Sequence, residues 1–408
     1  MTAERNSAPP STVDETIATI RAHCQPLEAE CVPLPQTLGR VLREAARADT
    51  DQPPFDRSSV DGYAVRLDDR ATRFRIVDEI RAGDWKPRVL QPGEAVRIAT
   101  GGALPSDGLQ VVMKEDACVD NGHVVVVERD NEPNIRFKGE DAKEGQELVG
   151  IGTTLGPGAL ALMASVGCTE PLVTRLPKVL HLATGNEIVP PDQKPERGQI
   201  RDSNSTLVRA FFQQSGIEPA QVRVGEDRAA IQSALQSAIR NPQSAIENVD
   251  LLVISGGASV GEHDFTRSLL EELGYKIHVT RTTTRPGKPM IFGSRGNAVA
   301  FGLPGNPLAH FVCLNLYVRQ ALWRFSGGRQ SPDFCQGVLA TEFAAHTSER
   351  ETLWPARMNF VEGEARLTPL RWQSSGDLTS LATANALVRV APNEGPLSRG
   401  TRLPFLST

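Results

Sequence analysis

The chain has 408 residues, of which 39% are apolar, and it carries a formal net charge of -5. This length exceeds the roughly 100 to 200 residues of one ordinary domain, so we expect several domains with separate cores. Charged residues of both signs are interspersed, which leaves no basic patch for a nucleic-acid backbone and no polybasic membrane anchor. The composition therefore favours a small-molecule partner over nucleic acid or a membrane.

The sequence also predicts where in the cell the protein is found and which type of ligand could bind a metal. No stretch approaches the roughly 18 apolar residues of a membrane span, and the first residues, MTAERNSAPPSTVDE, lack the apolar core of a secretory signal. We therefore expect a cytoplasmic protein. The six cysteines include no C-x-x-C pair, and the seven histidines form neither H-x-H nor H-E-x-x-H, so a metal would have to be bound by oxygen ligands.

The first half of the chain is predicted to begin with helices and to continue as a β-rich module. Residues 1–11 are polar and should fray, and apolar residues at helical spacing predict a helix over 12–24 with Ser11 as its N-cap. A second helix is predicted over 38–46, where the proline-rich DTDQPPF ends it. From about 53 to 141, short apolar runs separated by glycine and proline predict strands; these runs are 74–77, 95–98, 111–113 and 124–127. One further helix is predicted over 152–168, with Gly167 at its C-terminal end.

From residue 178 to about 325, apolar runs alternate with amphipathic stretches. The runs are KVLHLAT, AQVRVG, DLLVISGG, YKIHVT and NAVAFGL, and the predicted helices are 203–214, 227–240, 264–273 and 307–323. This alternation predicts a parallel, doubly wound sheet with helices on both faces. The last part, of about 75 residues, returns to short β-type runs, which predicts a small β-barrel or sandwich.

Four loops that directly follow apolar runs are candidate ligand sites, because ligands bind beyond the carboxyl ends of strands in a doubly wound sheet. They are 183–187 (ATGNE), 256–264 (GGASVGEHD), 285–289 (RPGKP) and 303–307 (LPGNP). Ser255, Gly256, Gly257 and Ser259 would expose backbone amides suited to a phosphate or oxyanion, although a tight turn uses the same glycine pattern. Neither G-x-x-x-x-G-K-[ST] nor G-x-G-x-x-G occurs, which disfavours ordinary nucleotide folds.

Acidic residues occur at loop or helix-start positions of the same predicted sheet. Glu187, Asp202, Asp227 and Asp264 offer hard oxygen ligands for a magnesium ion that holds a pyrophosphate. The alternative is helix capping, which suits Asp227 and either Asp202 or Ser203. Capping is favoured for each residue alone, whereas their convergence on one strand edge favours a metal site.

The remaining two loops carry cations and rigid turns. Arg285 and Lys288 flank a Pro-Gly turn that could present two cations to a doubly charged oxyanion, although a solvated basic turn has the same sequence. Pro304, Asn306 and Pro307 form either a rigid platform beside helix-start amides or a structural corner between strand and helix.

Three residues of the β-rich module are further candidates. Asp61 lies in PPFDRSSVDGYA, Thr100 precedes two glycines, and Asp141 ends KGED. Each could serve a second subunit's ligand or merely fix its own turn through the backbone, and the residues alone leave both possibilities open.

Taken together, these segments resemble the molybdopterin molybdotransferase family, which includes the E domain of gephyrin. The motifs occur in family order: PPFDRSSVDGYAV, RIATGG, NIRFKGED, ATGNEI, GQIRDSN, ISGGASVGEHD, RPGKP and GLPGNP. A tail motif, SSGDLTSLATANALV, is also similar to the family's C-terminal domain. The resemblance covers nearly the whole chain, from about residue 12 to about 403.

The resemblance implies an α/β and β multidomain fold in an elongated homodimer. Its four domains are a connector and dimerisation domain (12–52 with 142–177), a β-rich module (53–141), a doubly wound molybdopterin-binding α/β domain (178–326) and a C-terminal β-barrel (327–408). The implied substrates are molybdate and adenylylated molybdopterin, and AMP is released. The neighbouring adenylyltransferase and the molybdoenzymes that accept the cofactor are candidate protein partners.

The family also implies roles for the candidate residues. Arg285, Lys288, Ser255 and the amides near Gly257 would bind molybdate, while magnesium at Glu187, Asp227 or Asp264 would polarise the phosphoanhydride. Asp61 is a candidate contributor from the other subunit. The resemblance also makes Thr100 and Asp141 candidate site residues.

Some positions depart from the family pattern. Asn186 replaces an aspartate found in many relatives, although the gephyrin-like branch shares TGNE; Ala309 replaces a serine, and Gln110 replaces a frequent aspartate. Two other functions stay open: a non-catalytic molybdopterin-binding scaffold or carrier, and an adenylyltransferase. The candidate carboxylates favour an enzyme over a scaffold, and the β-rich module and tail disfavour a lone adenylyltransferase domain.

Overall fold

The structure, a computed structural model, describes residues 9–129, 131–225, 249–256, 263–344 and 348–408.

The predicted first helix is present, but a different residue forms its N-terminal cap. Helix α1 (Val13–His23) begins after Thr12, not Ser11. The Thr12 hydroxyl accepts from the Glu15 amide at 3.2 Å and the Glu15 carboxylate accepts from the Thr12 amide at 2.8 Å, which is a capping box.

The prediction of a second helix over 38–46 is wrong. A 3-10 turn (Leu34–Gln36) is followed by Gly39 at φ +77, and Val41 and Leu42 then form bridges to residues 154 and 173. This pairing buries Val41 and Leu42 almost completely, so tertiary burial outweighs their helical spacing. The strands of this region are β1 (Ala29–Cys31) and β2 (Ala46–Arg47).

The predicted β-rich module is confirmed. Its strands are β3 (Arg57–Ser58), β4 (Gly62–Arg66), β5 (Arg73–Ile80), β6 (Glu94–Ile98), β7 (Leu109–Met113), β8 (Ala117–Asp120), β9 (His123–Val126) and β10 (Ile135–Arg136). Six of them form one sheet in the order β7-β4-β6-β5-β9-β8, and β3 pairs with β10. Two apolar clusters pack on this sheet, one containing Ala64 and Ile98 and the other containing Val65 and Phe74.

The chain then returns to the strands near its N-terminus. Strand β11 (Glu147–Val149) pairs with β2, and β12 (Leu172–Thr174) pairs with β1. Between them lies α2 (Pro157–Ser165), which is followed by Gly167 at φ +74, as expected for a glycine that ends a helix. Segments from both sides of the β-rich module therefore form one unit.

The α/β region confirms the predicted alternation. Its elements are β13 (Val179–Thr184), β14 (Ile188–Val189), β15 (Ile200–Arg201), α3 (Asn204–Gln213), β16 (Ala220–Val224), β17 (Leu251–Ser255), α4 (His263–Glu272), β18 (Lys276–Val279), β19 (Ile291–Arg295), β20 (Ala298–Leu303), α5 (Pro307–Cys313) and α6 (Arg319–Ser326). A π-helical turn (Leu314–Val318) joins α5 to α6. The helix predicted over 227–240 lies outside the described residues.

The sheet is mixed, not purely parallel as predicted. Its order is β16-β13-β17-β20-β19-β18; the first four strands are parallel, and β19 is antiparallel to both of its neighbours. A two-residue turn at Gly296 and Asn297 reverses the chain between β19 and β20. Because two antiparallel steps restore the direction, β18 runs parallel to β20 and its following loop emerges at the same edge.

The C-terminal strands form the predicted barrel. They are β21 (Cys335–Leu339), β22 (Thr352–Val361), β23 (Glu364–Pro369), β24 (Ala386–Val390) and β25 (Arg402–Ser407), and they close in the order β21-β23-β22-β24-β25. The Arg285 amide donates to the Glu351 carbonyl at 2.7 Å, and the Leu353 amide donates to the Arg285 carbonyl at 2.8 Å. These bonds hold the barrel against a strand-end loop of the α/β sheet. Within the described ranges, no helix has the length and apolar character needed to cross a membrane.

Candidate active-site cleft

Loops from three strands meet at the carboxyl edge of the α/β sheet. A Cβ on Gly256, which has φ +98, would lie 2.2 Å from the Thr184 carbonyl oxygen, and a Cβ on Gly305 would lie 3.7 Å from the Gly256 Cα. The Asn204 side-chain amide donates to the Gly305 carbonyl at 2.7 Å, which adds the start of α3. The loops after β13, β17 and β20 therefore share one cleft, and only glycine fits at position 256.

This cleft has a volume of about 300 Å³ and gathers many of the sequence-predicted residues. Those that line it are Glu187, Asp202, Ser203, Ser255, Gly256, Pro304, Asn306 and Pro307. Asp264 lies in the first turn of α4. Asp227, Gly257 and Ser259 lie outside the described residues.

A second cavity of about 310 Å³ adjoins the first, and Pro289, Pro304 and Asn306 line both. Arg285 and Lys288 lie in its wall, and Arg350 faces them from the barrel side. Glu351, the next residue, pairs with Arg389 instead, and none of the three cations forms an ion pair within the described part of the chain. We refer to this space as the cationic cavity.

The cationic cavity also contains an unused donor. Trp372 is 7% exposed, and its indole Nε1 has no hydrogen-bond partner among the described residues. The Arg285 guanidinium lies 5.7 Å from its ring centroid. Burial and the nearby charge of Arg285 lower the pKa of Arg350. Because the unsatisfied buried indole donor is costly and the three cations have no opposite charge beside them among the described residues, their concentration here favours an anionic ligand.

Sequence reasoning missed the contribution of the barrel to this cavity. Ser374 and Ser375 begin the tail motif and line the cavity, and the Ser375 hydroxyl accepts from the Asn306 side-chain amide at 2.9 Å. The motif was the available signal, but its sequence did not indicate which loop it would face. Nothing local to Arg350 or Trp372 distinguishes them from other barrel residues.

The four acidic candidates differ in their surroundings. Glu187 lines the cleft, and its carboxylate lies over Gly185, where a Cβ would approach it to 2.7 Å. Asp202 accepts from the Ser205 amide and hydroxyl at 2.9 and 2.6 Å and from Arg223 Nε at 3.0 Å. Burial raises the pKa of Asp202, but these bonds outweigh it and the pKa is lowered. Asp202 therefore caps α3, the alternative considered above, and its oxygens are already used by the protein.

Of the four predicted oxygen ligands for a metal, the structure describes the side chains of Glu187 and Asp202. Ser203 forms no side-chain cap and simply lines the cleft. In the described ranges, no group of three or more histidine, cysteine or acidic side chains could hold a metal ion. Glu187 and Asp202 both line the cleft, and because Asp202 already serves as a helix cap, Glu187 is the better magnesium ligand of these two described side chains.

The candidates in the β-rich module form their own polar clusters. Asp61 accepts from the Thr100 amide at 2.8 Å, from the Thr100 hydroxyl at 2.9 Å and from Lys114 Nζ at 3.1 Å. The bonds from Thr100 and Lys114 lower the pKa of Asp61 to about 2. Asp141 pairs with Arg136. Asp61, Thr100 and Asp141 line neither cavity of their own chain.

Two departures from the family pattern can be placed. Ala309 lines the cationic cavity, so the hydroxyl that a serine would supply there is missing. Gln110 is buried in β7, where its side-chain amide donates to the Glu132 carbonyl at 3.3 Å. Gln110 therefore has a structural position in the β-rich module.

Comparison with known proteins agrees with this architecture. Three family models match: the MoeA N-terminal region (domain I and II) over residues 11–167, a probable molybdopterin binding domain over 181–324, and the MoeA C-terminal region (domain IV) over 336–407. Fold and site thus define a multidomain protein of the MoeA type.

Individual relatives extend over the whole chain. Molybdopterin molybdenumtransferase of Bacillus subtilis is 32% identical over 93% of this chain and 90% of its own, and that of Nostoc sp. is 33% identical over 91% and 87%. The chain belongs to the molybdopterin molybdenumtransferase family. A crystal structure of the molybdopterin biosynthesis MoeA protein from Pyrococcus horikoshii superposes with a TM-score of 0.78 at 29% identity, covering 98% of this chain and 99% of that one.

Proposed function

We propose that this protein inserts molybdate into adenylylated molybdopterin and releases AMP, forming the molybdenum cofactor. The observation that carries the proposal is the cationic cavity, where Arg285, Lys288, Arg350 and the free indole N–H of Trp372 surround a space beside the cleft. Molybdate is a small tetrahedral dianion, and unpaired cations in a partly desolvated site bind such an ion strongly. The relatives from B. subtilis and Nostoc sp. are both named molybdopterin molybdenumtransferase, which supports the same activity.

The cleft would hold the second substrate. The close approach of the loops at Gly256 and Gly305 lets main-chain groups reach a pyrophosphate without obstruction by side chains. Pro304 and Asn306 line both spaces, so the pterin end of the substrate can meet molybdate across them. The two dithiolene thiols of the substrate bond to molybdenum and displace one molybdate oxygen as water, and a water molecule cleaves the phosphoanhydride to release AMP, so the protein needs no nucleophile of its own.

We include magnesium in this proposal. The donor chemistry fits, because Mg²⁺ commonly uses one or two carboxylates together with phosphate oxygens, and Glu187 supplies one carboxylate in the cleft. Glu187, Asp227 and Asp264 would hold the ion. When bound, it would neutralise charge on the phosphoanhydride. The residues of the cationic cavity act on the other substrate.

We further propose a cytoplasmic homodimer in which Asp61, Thr100 and Asp141 of one subunit face the cleft of the other. Their exclusion from both cavities of their own chain supports this arrangement. A mixture of Asp61→Asn and Arg350→Ala proteins tests it, because a mixed dimer has one intact cleft if the site is shared. Random pairing should then recover about a quarter of wild-type activity. Activity no higher than that of the separate variants would contradict the shared site.

AMP release tests the activity itself. Purified protein is supplied with adenylylated molybdopterin and Mg²⁺, and AMP is followed while molybdate is varied. Saturable dependence on molybdate is expected. AMP release that is independent of molybdate would contradict insertion, and binding of molybdopterin without any AMP release would favour the scaffold or carrier.

A further inference from the structure

Four polar side chains form a hydrogen-bonded chain through Ser255, which lines the cleft; His181, Ser255 and His310 are buried and Gln221 is half-buried. Gln221 Nε2 lies 3.0 Å from His181 Nδ1, and His181 Nε2 lies 2.6 Å from Ser255 Oγ. Ser255 Oγ is also 3.3 Å from His310 Nε2, and His310 Nδ1 lies 3.1 Å from the Pro304 carbonyl oxygen. The chain thereby connects β16, β13, β17, α5 and the loop that lines both cavities.

The donor and the acceptor of every hydrogen bond follow from the groups at the two ends of the chain of side chains. Gln221 Nε2 also donates to the Ser205 carbonyl at 2.7 Å, which fixes it as the amide nitrogen. It therefore donates its other hydrogen to His181 Nδ1, and the proton of His181 must be on Nε2. At the far end a carbonyl can only accept, so His310 carries its proton on Nδ1 and accepts at Nε2.

The serine completes the chain. Its one hydroxyl hydrogen is donated to His310, and its oxygen accepts from His181. Both histidines are fully buried, and Ser255 is 3% exposed. Burial lowers the pKa of His181 to about 3 and that of His310 to about 4, so both rings are neutral near pH 7. All four bonds thus run in one direction, and the Ser255 hydrogen is not free for a substrate.

We propose that His181 and His310 are positioning residues, whose one-directional hydrogen-bond chain through Ser255 fixes the Pro304 carbonyl and so the shared wall of the two cavities. Pro304 lines both cavities, and its carbonyl accepts a hydrogen bond from the buried His310 ring. Loss of that bond would let the wall move and would weaken the binding of both substrates. The effect of losing this bond on turnover rests on the proposed function. The predicted tautomers of the two rings follow from the hydrogen bonds alone.

Nitrogen-15 NMR of the histidine rings in the full-length protein tests the chain directly. The expected spectrum has His181 protonated on Nε2 and His310 on Nδ1, with neither ring titrating between pH 5 and 8. Single His181→Gln and His310→Gln variants assign the signals. Titration of either ring near its ordinary value of 6.5 would overturn the proposal, as would identical tautomers.

Two substitutions of His310 separate positioning from packing. Asparagine can place an amide N–H where Nδ1–H was and keep the bond to Pro304, whereas glutamine reaches the Nε2 position and keeps only the bond to Ser255. We expect His310→Gln to raise the KM for molybdate about five- to tenfold and His310→Asn to raise it less than about twofold. His123→Asn, on the surface of the β-rich module, is the matched control and should change nothing.

The opposite order would overturn the proposal. Glutamine is closer to histidine in volume, so a role in packing alone predicts that His310→Gln is the milder change. Melting temperatures of both variants identify a protein that has not folded, and the ring tautomers of the wild type then decide the question. If wild-type protein shows no molybdate-dependent AMP release, the proposed function fails while the NMR result still tests the hydrogen-bond chain.

Discussion

Replacing Gly256 by alanine should destabilise the protein more than the same change at Gly198. Both glycines have positive φ, +98 and +91, so an alanine at either position costs about 1 to 2 kcal/mol in backbone strain. Among the described residues, a Cβ at Gly198 meets nothing within 4 Å, whereas a Cβ at Gly256 lies 2.2 Å from the Thr184 carbonyl oxygen. Because that oxygen belongs to a buried strand, the loop must move, which adds about 1 to 3 kcal/mol.

Calorimetry of the two variants measures this difference. Gly256→Ala should lose about 2 to 5 kcal/mol of unfolding free energy and Gly198→Ala about 1 to 2. The KM for adenylylated molybdopterin should rise only in Gly256→Ala, because only there does the loop leave the cleft wall. Equal destabilisation by the two substitutions would refute the close approach of the loops after β13 and β17.

Three other predictions concern the cationic cavity and the β-rich module. Arg350→Ala should raise the KM for molybdate about tenfold to a hundredfold in the AMP-release assay, since a hydrogen bond from a charged group is lost. Arg281→Ala should not, because Arg281 is an exposed cation in the segment after β18 that does not line the cavity. Ala309→Ser should lower that KM about twofold to fivefold by adding a hydroxyl donor, and an unchanged KM would mean that the side chain does not reach the anion. Carboxyl-carbon NMR spectra should give Asp61 a pKa of about 2. Its contribution to folding stability should then be complete above about pH 4 and be lost as the pH falls through 2. A pKa near the ordinary value of 3.8 would mean that the hydrogen bonds from Thr100 are absent.

The strand-end loops could be predicted because their signal is local. An apolar run followed by glycine, proline and polar residues indicates both the strand and the place where its ligand-binding edge begins, and loops 183–187, 285–289 and 303–307 lie as that pattern predicts. Asp202 shows the limit of the same reasoning. Its helix-start position fitted either a cap or a ligand, and the bonds from Ser205 and from Arg223, which lies on β16, show that it is a cap.

Features that depend on distant parts of the chain could not be predicted. Arg350 and Trp372 reach the cationic cavity only because the barrel packs on the 285–289 loop, and no local pattern encodes that contact. His181 and His310 were noted only as histidines without a metal-binding pattern, since their common partner Ser255 is far from both in sequence. The false helix over 38–46 has the same cause, because long-range strand pairing outweighed a local period.

Molybdenum-edge anomalous diffraction from crystals soaked in molybdate shows whether the cationic cavity binds the anion, because it locates molybdenum without relying on turnover. We expect one strong peak within hydrogen-bonding distance of Arg285, Lys288 and Arg350, and loss of that peak in Arg350→Ala crystals. A strong peak elsewhere, with none in the cationic cavity, would contradict this expectation.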